Sequence, residues 1–263
     1  EYTAEGMILE KLHTKHEDTV QYFLADGTSL NERLGTEILI QYTGNIVCRK
    51  CSKSTNKSFA EGFCYPCFLA APEASPCILH PELCEAHLGK GRDLAYEEKN
   101  HNQPHYVYLA ATDQVKVGVT RVTQMPTRWI DQGAREAIIL AETPNRYLAG
   151  VIEVALKEIY SDKTNWQNML RNIQEQSIDL VEEKWGLLDQ LPEDIGQYFT
   201  EDETVYTFNY PVISYPEKVA ALTLDKEPRV QGKLTGIRGQ YLIIDDYLVL
   251  NIRRHTGYEV EWK

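Results

Sequence analysis

The feature that most constrains this chain is a pair of C-x-x-C motifs, Cys48-Arg-Lys-Cys51 and Cys64-Tyr-Pro-Cys67, with twelve residues between them. Two residues between thiols allow a tight turn to direct both sulfur atoms at one ion, and two such turns complete a tetrahedron. A site closed by four thiolates leaves no coordination position for a substrate and is therefore structural. The alternatives are four reduced thiols or a redox C-x-x-C, for which one pair would suffice. We predict a structural zinc bound by Cys48, Cys51, Cys64 and Cys67.

A second group of metal-binding residue types follows within eleven positions, namely Cys77, His80, Cys84 and His87. The two C-x-x-H pairs have a spacing that is compatible with a second zinc ion. The alternative is that one or two of these side chains are exposed to solvent or packed without a metal. The sequence therefore predicts one or two structural zinc ions.

The distribution of the cysteines also bears on the cellular compartment. All six lie between Cys48 and Cys84, whereas a secreted disulfide scaffold usually spreads its cysteines over a small chain. No apolar run of about 18 residues occurs, and the first five residues show no signal-peptide pattern. We expect a cytoplasmic protein that has no membrane partner.

Charge is distributed unevenly along the chain. The net charge of −12 opposes a simple polyanion-binding protein. Residues 158–205 carry twelve acidic and three basic side chains, a net charge of −9, whereas residues 46–157 come to +1. The acidic stretch 158–205 is thus a candidate surface for a basic protein partner.

Hydrophobic patterning predicts an α+β fold that divides into five segments. They are a small β module at 1–45, a zinc-binding region at 46–92, an α+β core at 104–160, an acidic helical segment at 161–205 and a C-terminal β module at 206–263. Residues 93–103 are polar and are expected to form a linker. The acidic segment is expected to be a pair of helices broken near Gly186 and Pro192.

The core segment shows the clearest order of elements. They are a strand at 105–110, a strand at 115–120, a short helix at 127–132, a strand at 137–141 and a long helix at 146–160. Pro126 and Gly133 bracket the short helix. Gly118 within a strand indicates the close approach of a ligand or another backbone, and Glu153 lies beside the apolar face of the long helix.

This order of elements resembles the GIY-YIG nuclease superfamily, in which two strands carry signature tripeptides and two later helices supply an arginine and a glutamate. Tyr106-Val107-Tyr108 stands at the first tripeptide and Lys116-Val117-Gly118 at the second. The resemblance, which covers residues 104–160, implies a GIY-YIG-like core with Arg128 as the arginine and Glu153 as the ligand of one divalent metal. Two departures are Lys116 in place of a tyrosine and the missing glycine of the first tripeptide.

The resemblance implies phosphodiester hydrolysis. A Mg²⁺ or Mn²⁺ ion on Glu153 would polarise a phosphate oxygen, and Arg128 would neutralise the charge that develops in the transition state. Tyr108 or Lys116 would orient or deprotonate the attacking water, provided that its pKa is lowered.

Further polar residues lie beside these positions. Arg121 and Gln132 are candidates for contact with the substrate, and His105 is an alternative base. The sequence segments 116–121 and 126–134, which follow a cysteine-rich region, also resemble an uncharacterised bacterial protein family.

Two classes of function remain open at this stage. The first is a metal-dependent nuclease that cleaves DNA or RNA, which the presence of Arg128 and Glu153 favours. The second is a non-catalytic protein, either a nucleic-acid-binding protein or an assembly protein whose zinc only stabilises the fold. Lys116 and the missing glycine favour a nucleic-acid-binding protein that keeps the fold without catalysis.

Overall fold

The structure, a computed structural model, describes residues 6–160, 164–174 and 177–263. Residues 161–163 and 175–176 of the predicted acidic helical segment lie outside the described residues. The chain divides into two compact units. The first contains the chain up to Ala70 together with Asn209–Lys263, and the second is Ala71–Phe208.

Strands and helices both contribute, so the fold is mixed α+β, as predicted, and it includes a cluster of cysteines. The strands are β1 Gly6–Ile8, β2 His13–Lys15, β3 Gln21–Phe23, β4 Glu37–Val47, β5 Ser54–Thr55, β6 His105–Ala111, β7 Val115–Arg121, β8 Glu136–Thr143, β9 Val205–Thr207, β10 Ala220–Leu222, β11 Arg229–Arg238, β12 Tyr241–Ile244, β13 Leu248–Asn251 and β14 Tyr258–Trp262. The helices are α1 Tyr65–Ala70, α2 Leu94–Asn100, α3 Thr127–Asp131, α4 Arg146–Lys157, α5 Trp166–Leu170, α6 Leu180–Leu188 and α7 Glu193–Gly196. No helix of the described residues has the length and apolar character needed to span a membrane.

In the first unit, one sheet joins both ends of the chain. Its strand order is β1-β14-β4-β11-β12-β13-β10, with β5 also paired to β4, and β2 and β3 form a separate hairpin. Strand β4 lies between the C-terminal strands β14 and β11, so that Val260 pairs with Tyr42 and Val230 with Ile40. The β modules expected at 1–45 and 206–263 are therefore parts of one sheet, in which each supplies backbone hydrogen-bond partners to the other.

The turn at Asp245-Asp246 joins β12 to β13. Both aspartates have positive φ, 51° and 62°. Aspartate tolerates this left-handed conformation better than most residues because its short side chain bonds locally.

The second unit contains a four-stranded antiparallel sheet of order β7-β6-β8-β9. Side chains alternate between the two faces of a strand. One face packs on α4 through a core of aliphatic residues that includes Val107, Leu109, Val117, Ile152 and Leu156. On β6, Tyr108 packs its ring edge-on against Trp129 of α3, with 5.6 Å between the ring centroids.

The polar stretch 93–103 is a helix in large part, not the linker that its composition predicted. Asp93 caps α2 by accepting a hydrogen bond from the Tyr96 amide at 3.0 Å. Glu97 and His101, four residues apart, lie on one face of this helical turn and hydrogen-bond each other. Buried contacts of these two polar side chains therefore stabilise a helix that has little apolar signal.

The acidic segment also differs from the expected pair of helices. Gly186 lies inside α6, and Pro192 precedes the short helix α7. Lys184 of α6 is buried and donates hydrogen bonds to the Ile139 carbonyl at 2.9 Å and the Thr200 hydroxyl at 3.1 Å. These bonds attach α6 to β8. The helix continues through Gly186, so the break predicted there does not occur.

Candidate functional site

The four paired cysteines meet in the first unit. Their sulfur atoms all lie within 4.8 Å of one another, and the Sγ atoms of Cys51 and Cys64 are 3.8 Å apart. Zinc–sulfur bonds of about 2.3 Å in a tetrahedron also place the sulfurs about 3.8 Å apart. The group of Cys48, Cys51, Cys64 and Cys67 could therefore bind a zinc ion.

Local backbone geometry brings the two cysteine pairs into position. Cys48 follows β4 directly, and Ser52 closes the first turn in the left-handed region, with a φ of 58° and a hydrogen bond to the Cys48 carbonyl at 2.8 Å. Burial raises the pKa of the Cys48 thiol, but backbone N–H groups of Cys51, Cys64 and Lys50 and the Cys51 side chain lower it to about 6. These N–H groups favour the thiolate, which is the form that binds a metal.

The structure changes the expected composition of the second metal-type group. Cys77 and Cys84 are buried close together, but Glu97 of α2 and the adjacent His101 complete the group, and the ligand atoms all lie within 4.8 Å of one another. Glu97 and His101 were not predicted as ligands because the polar segment that carries them resembled a linker. Their separation by four residues is the signal that would have found them, once the segment is recognised as helical.

The two other predicted members of this group lie elsewhere. The side chain of His80 is 60% exposed, and its Nδ1 atom is 3.3 Å from Glu82 Oε1. His87 is exposed and stacks on the Tyr147 ring, with 4.6 Å between the centroids. Cys77 lies in a short 3-10 turn at Pro76–Ile78 and Cys84 follows another at Pro81–Leu83, whereas the exposed His87 lies in a third turn at Ala86–Leu88.

Tyr108 lies in the central strand of the second unit's sheet and is fully buried. Its hydroxyl donates a hydrogen bond to Gln132 Oε1 at 3.0 Å. Gly118 is its partner across β7, and a β-carbon on Gly118 would lie 2.5 Å from the Tyr108 oxygen. The close approach indicated by Gly118 is therefore made by the Tyr108 side chain and not by a ligand or another backbone.

Burial raises the pKa of Tyr108, although the charge and a hydrogen bond of Arg128 lower it in part, and the charge of Glu153 raises it further. Arg128 and Glu153 thus lie close enough to Tyr108 to act on it electrostatically. A raised pKa opposes the role of general base that the resemblance implies for Tyr108. Lys116, the other predicted base, is also buried.

Glu153 lies on α4, which begins at the capping residue Asn145. It is buried, and its Oε2 atom has no hydrogen-bond partner among the described residues. Lys157 Nζ is 3.6 Å from this oxygen. Burial raises the pKa of Glu153. The positive charges of Lys157 and Arg146 lower this pKa in part, and the charge of Glu82 raises it. A buried carboxylate of this kind is a candidate ligand for a hard cation.

The remaining predicted site residues are already engaged within the protein. Arg121 donates a hydrogen bond to Asn100 Oδ1, and Gln132 accepts the hydrogen bond of Tyr108. His105 is buried, and burial lowers its pKa to about 3, so it is neutral at pH 7. Sequence analysis did not single out Arg146, whose charge acts on Glu153.

A family model described as "Protein of unknown function (DUF2797)" matches residues 35–260 of the chain. No curated protein and no solved structure matches the chain. The description of the family states no activity.

Proposed function

We propose that this chain, which belongs to the DUF2797 family, cleaves phosphodiester bonds of DNA or RNA at a site that contains Arg128 and Glu153. The observation that carries the proposal is the buried Glu153 carboxylate, whose Oε2 atom lies 3.6 Å from Lys157 Nζ and has no partner at hydrogen-bond distance among the described residues. Burial of a carboxylate oxygen without a full set of partners costs free energy. A bound cation would supply the missing partner and offset that cost.

The surroundings of Glu153 fit the divalent metal that the GIY-YIG resemblance implies. Glu82 is a second carboxylate, close enough to raise the pKa of Glu153. Its Oε2 atom is also buried without a hydrogen-bond partner among the described residues. Mg²⁺ is usually bound by one or two carboxylates, with substrate phosphates and water as the other ligands. A Mg²⁺ or Mn²⁺ ion would polarise a phosphate oxygen and stabilise the leaving group.

Arg128 is the candidate for binding the phosphate. It lies on α3 in the second unit, and its positive charge acts on both Tyr108 and Arg146. A guanidinium forms paired, charge-assisted hydrogen bonds to phosphate oxygens and neutralises charge that develops in the transition state. Tyr108, which is buried and bonded to Gln132, acts as a positioning residue for Arg128.

Binding of nucleic acid without cleavage is the second candidate function. It is favoured by the burial of Tyr108 and Lys116, which are the two residues that the resemblance implies as activators of water. With neither of them exposed, Arg128 could bind a phosphate that is not hydrolysed.

A nuclease assay with matched variants tests the proposal. Zinc-containing protein is incubated with duplex, single-stranded and branched DNA and with structured RNA, in the presence of Mg²⁺ or Mn²⁺. We expect cleavage to fall about 100-fold or more in Glu153→Gln and in Arg128→Ala, as is typical for the loss of one transition-state contact. The controls are Glu158→Gln and Arg171→Ala, whose side chains are exposed in the same unit and whose removal should leave cleavage unchanged.

Salt dependence separates the two candidates. Binding without cleavage, weakened by salt through counterion release and lost in Arg128→Ala, would support the second candidate. Cleavage that survives Glu153→Gln would contradict the assignment of Glu153. The absence of both cleavage and binding would overturn the proposed function.

A further inference from the structure

A buried group of four side chains in the second unit has the donor atoms of a metal site. Cys77, Cys84, Glu97 and His101 have exposed fractions of 8%, 2%, 4% and 2%. The Sγ atom of Cys77 is 3.8 Å from His101 Nδ1, and Glu97 Oε2 forms a hydrogen bond with the same Nδ1 atom. We propose that these four residues bind one zinc ion, independently of any nuclease activity.

The donor set suits zinc. Two thiolates, one imidazole and one carboxylate are all regular zinc ligands, and four protein ligands close a tetrahedral site. Zinc–sulfur and zinc–nitrogen bonds of ordinary length place these two atoms about 3.6 Å apart in a tetrahedron, close to the separation of Cys77 and His101. Hard cations such as Mg²⁺ would reject the two sulfur ligands.

The alternative use of a Cys, a His and a Glu is nucleophilic catalysis, and the geometry opposes it. A catalytic triad uses both ring nitrogens of the histidine, one toward the nucleophile and the other toward the carboxylate. Here Cys77 and Glu97 both face Nδ1 of His101. Two side chains directed at one nitrogen of a third, with Cys84 Sγ also within 4.8 Å of these donor atoms, converge as ligands of a metal do. The burial of all four also denies a substrate access to the thiols.

The charges around the four residues are compatible with a bound zinc ion. With zinc bound, the two cysteines would be thiolates, and together with the Glu97 carboxylate they would bring three negative charges that have to be compensated in a buried site. The guanidinium of Arg146 is close enough for both cysteines to act on it electrostatically. A zinc ion together with Arg146 would bring the buried group to neutrality, whereas Arg146 alone would leave it negative.

Neighbouring groups support the ligands, as the surroundings of a metal site usually do. The Ser75 hydroxyl lies 3.2 Å from Cys77 Sγ. Arg146 donates through Nε to the Cys77 carbonyl at 2.9 Å. A β-carbon on Gly91 would lie 2.3 Å from Glu97 Cγ, so a glycine at this position makes room for the Glu97 side chain.

Zinc content tests the proposal on the full chain. We expect two zinc ions per wild-type chain, one in the group of Cys48, Cys51, Cys64 and Cys67 and one in the new site. His101→Ala and Cys84→Ser should each lose one zinc ion. The matched controls, His80→Ala and His87→Ala, should keep both because their side chains are exposed outside the group.

A second measurement covers the case in which His101→Ala does not fold. Cys64→Ser should remove the first zinc, and Co²⁺ loaded into that variant should give the absorption of a tetrahedral site with thiolate ligands. His101→Cys in the same background should keep the bound Co²⁺, with an altered spectrum. A single zinc in the wild type, loss of zinc in His80→Ala or a disulfide between Cys77 and Cys84 would overturn the proposal.

Discussion

The hydroxyl of Tyr108 occupies the space above Gly118, its neighbour on the adjacent strand, where a β-carbon would lie 2.5 Å from the hydroxyl oxygen and 2.6 Å from Cζ. The absence of a side chain at Gly118 thus leaves space for the phenol, whose hydroxyl bonds to Gln132. The charge and a hydrogen bond of Arg128 act on the pKa of Tyr108, so the phenol that fills this space also interacts with the proposed phosphate-binding residue.

The first prediction concerns Gly118→Ala. We expect a loss of about 1–3 kcal/mol in the free energy of unfolding, because the added methyl group overpacks the site. Urea denaturation measures the loss. The control is Gly186→Ala, where a β-carbon would meet nothing within 4 Å and where alanine should stabilise the helix by roughly 0.5–1 kcal/mol. Wild-type stability in Gly118→Ala would show that Tyr108 moves aside without cost.

The second prediction concerns Gly150 of α4. A β-carbon there would lie 2.2 Å from the Glu82 amide nitrogen and 2.4 Å from the Pro81 carbonyl carbon. Backbone atoms of a packed loop cannot yield as a flexible side chain can, so Gly150→Ala should displace the loop that ends at Cys84. We expect lower stability and loss of the zinc ion proposed at Cys77 and Cys84. Unfolding and zinc content are both measured, and full zinc content in the variant would contradict the prediction.

The third prediction separates stability from activity at Glu153. Burial raises the pKa of this carboxyl group above its ordinary value, so ionisation at neutral pH destabilises the fold. The free energy of unfolding falls as the pH rises through the ordinary pKa of the Glu153 carboxyl group toward its raised pKa in the folded protein. Glu153→Gln removes this ionisation and should unfold at a Tm no lower than that of the wild type without added Mg²⁺, although cleavage is lost. A marked fall in Tm at pH 7 would instead show that the pair with Lys157 stabilises the fold.

The fourth prediction concerns pH and His105. Burial lowers the pKa of His105 to about 3 from 6.5. The unfolded chain therefore binds the proton first, and stability is lost as the pH falls below about 6.5. The loss that this residue contributes should reach roughly 2 kcal/mol at pH 5. Urea denaturation is measured at pH 7 and pH 5 for the wild type and for His105→Gln. Any release of zinc at the lower pH affects both proteins alike, so the difference between them reports the contribution of His105. An equal loss in the two proteins would rule out His105 as the source.

Local signals allowed much of the second unit's core to be predicted. Asn145 caps α4 through a hydrogen bond from the Leu148 amide at 3.0 Å, and Gly133 ends α3 with a φ of 72°. Such caps depend on residues within one turn, so the sequence alone locates them. The helix at 94–100 was missed because its stabilising contacts are polar and buried, and no apolar pattern marks it.

The sequence by itself determined the cysteine group of the first unit, since each pair of ligands is brought together by a turn of only two intervening residues. Only the tertiary structure decided the second group, because Glu97 and His101 reach Cys77 and Cys84 through packing of separate segments. It also decided that both ends of the chain share one sheet, with β4 between β14 and β11. Contacts between residues distant in sequence depend on which surfaces bury each other, and that information is not present in any local pattern.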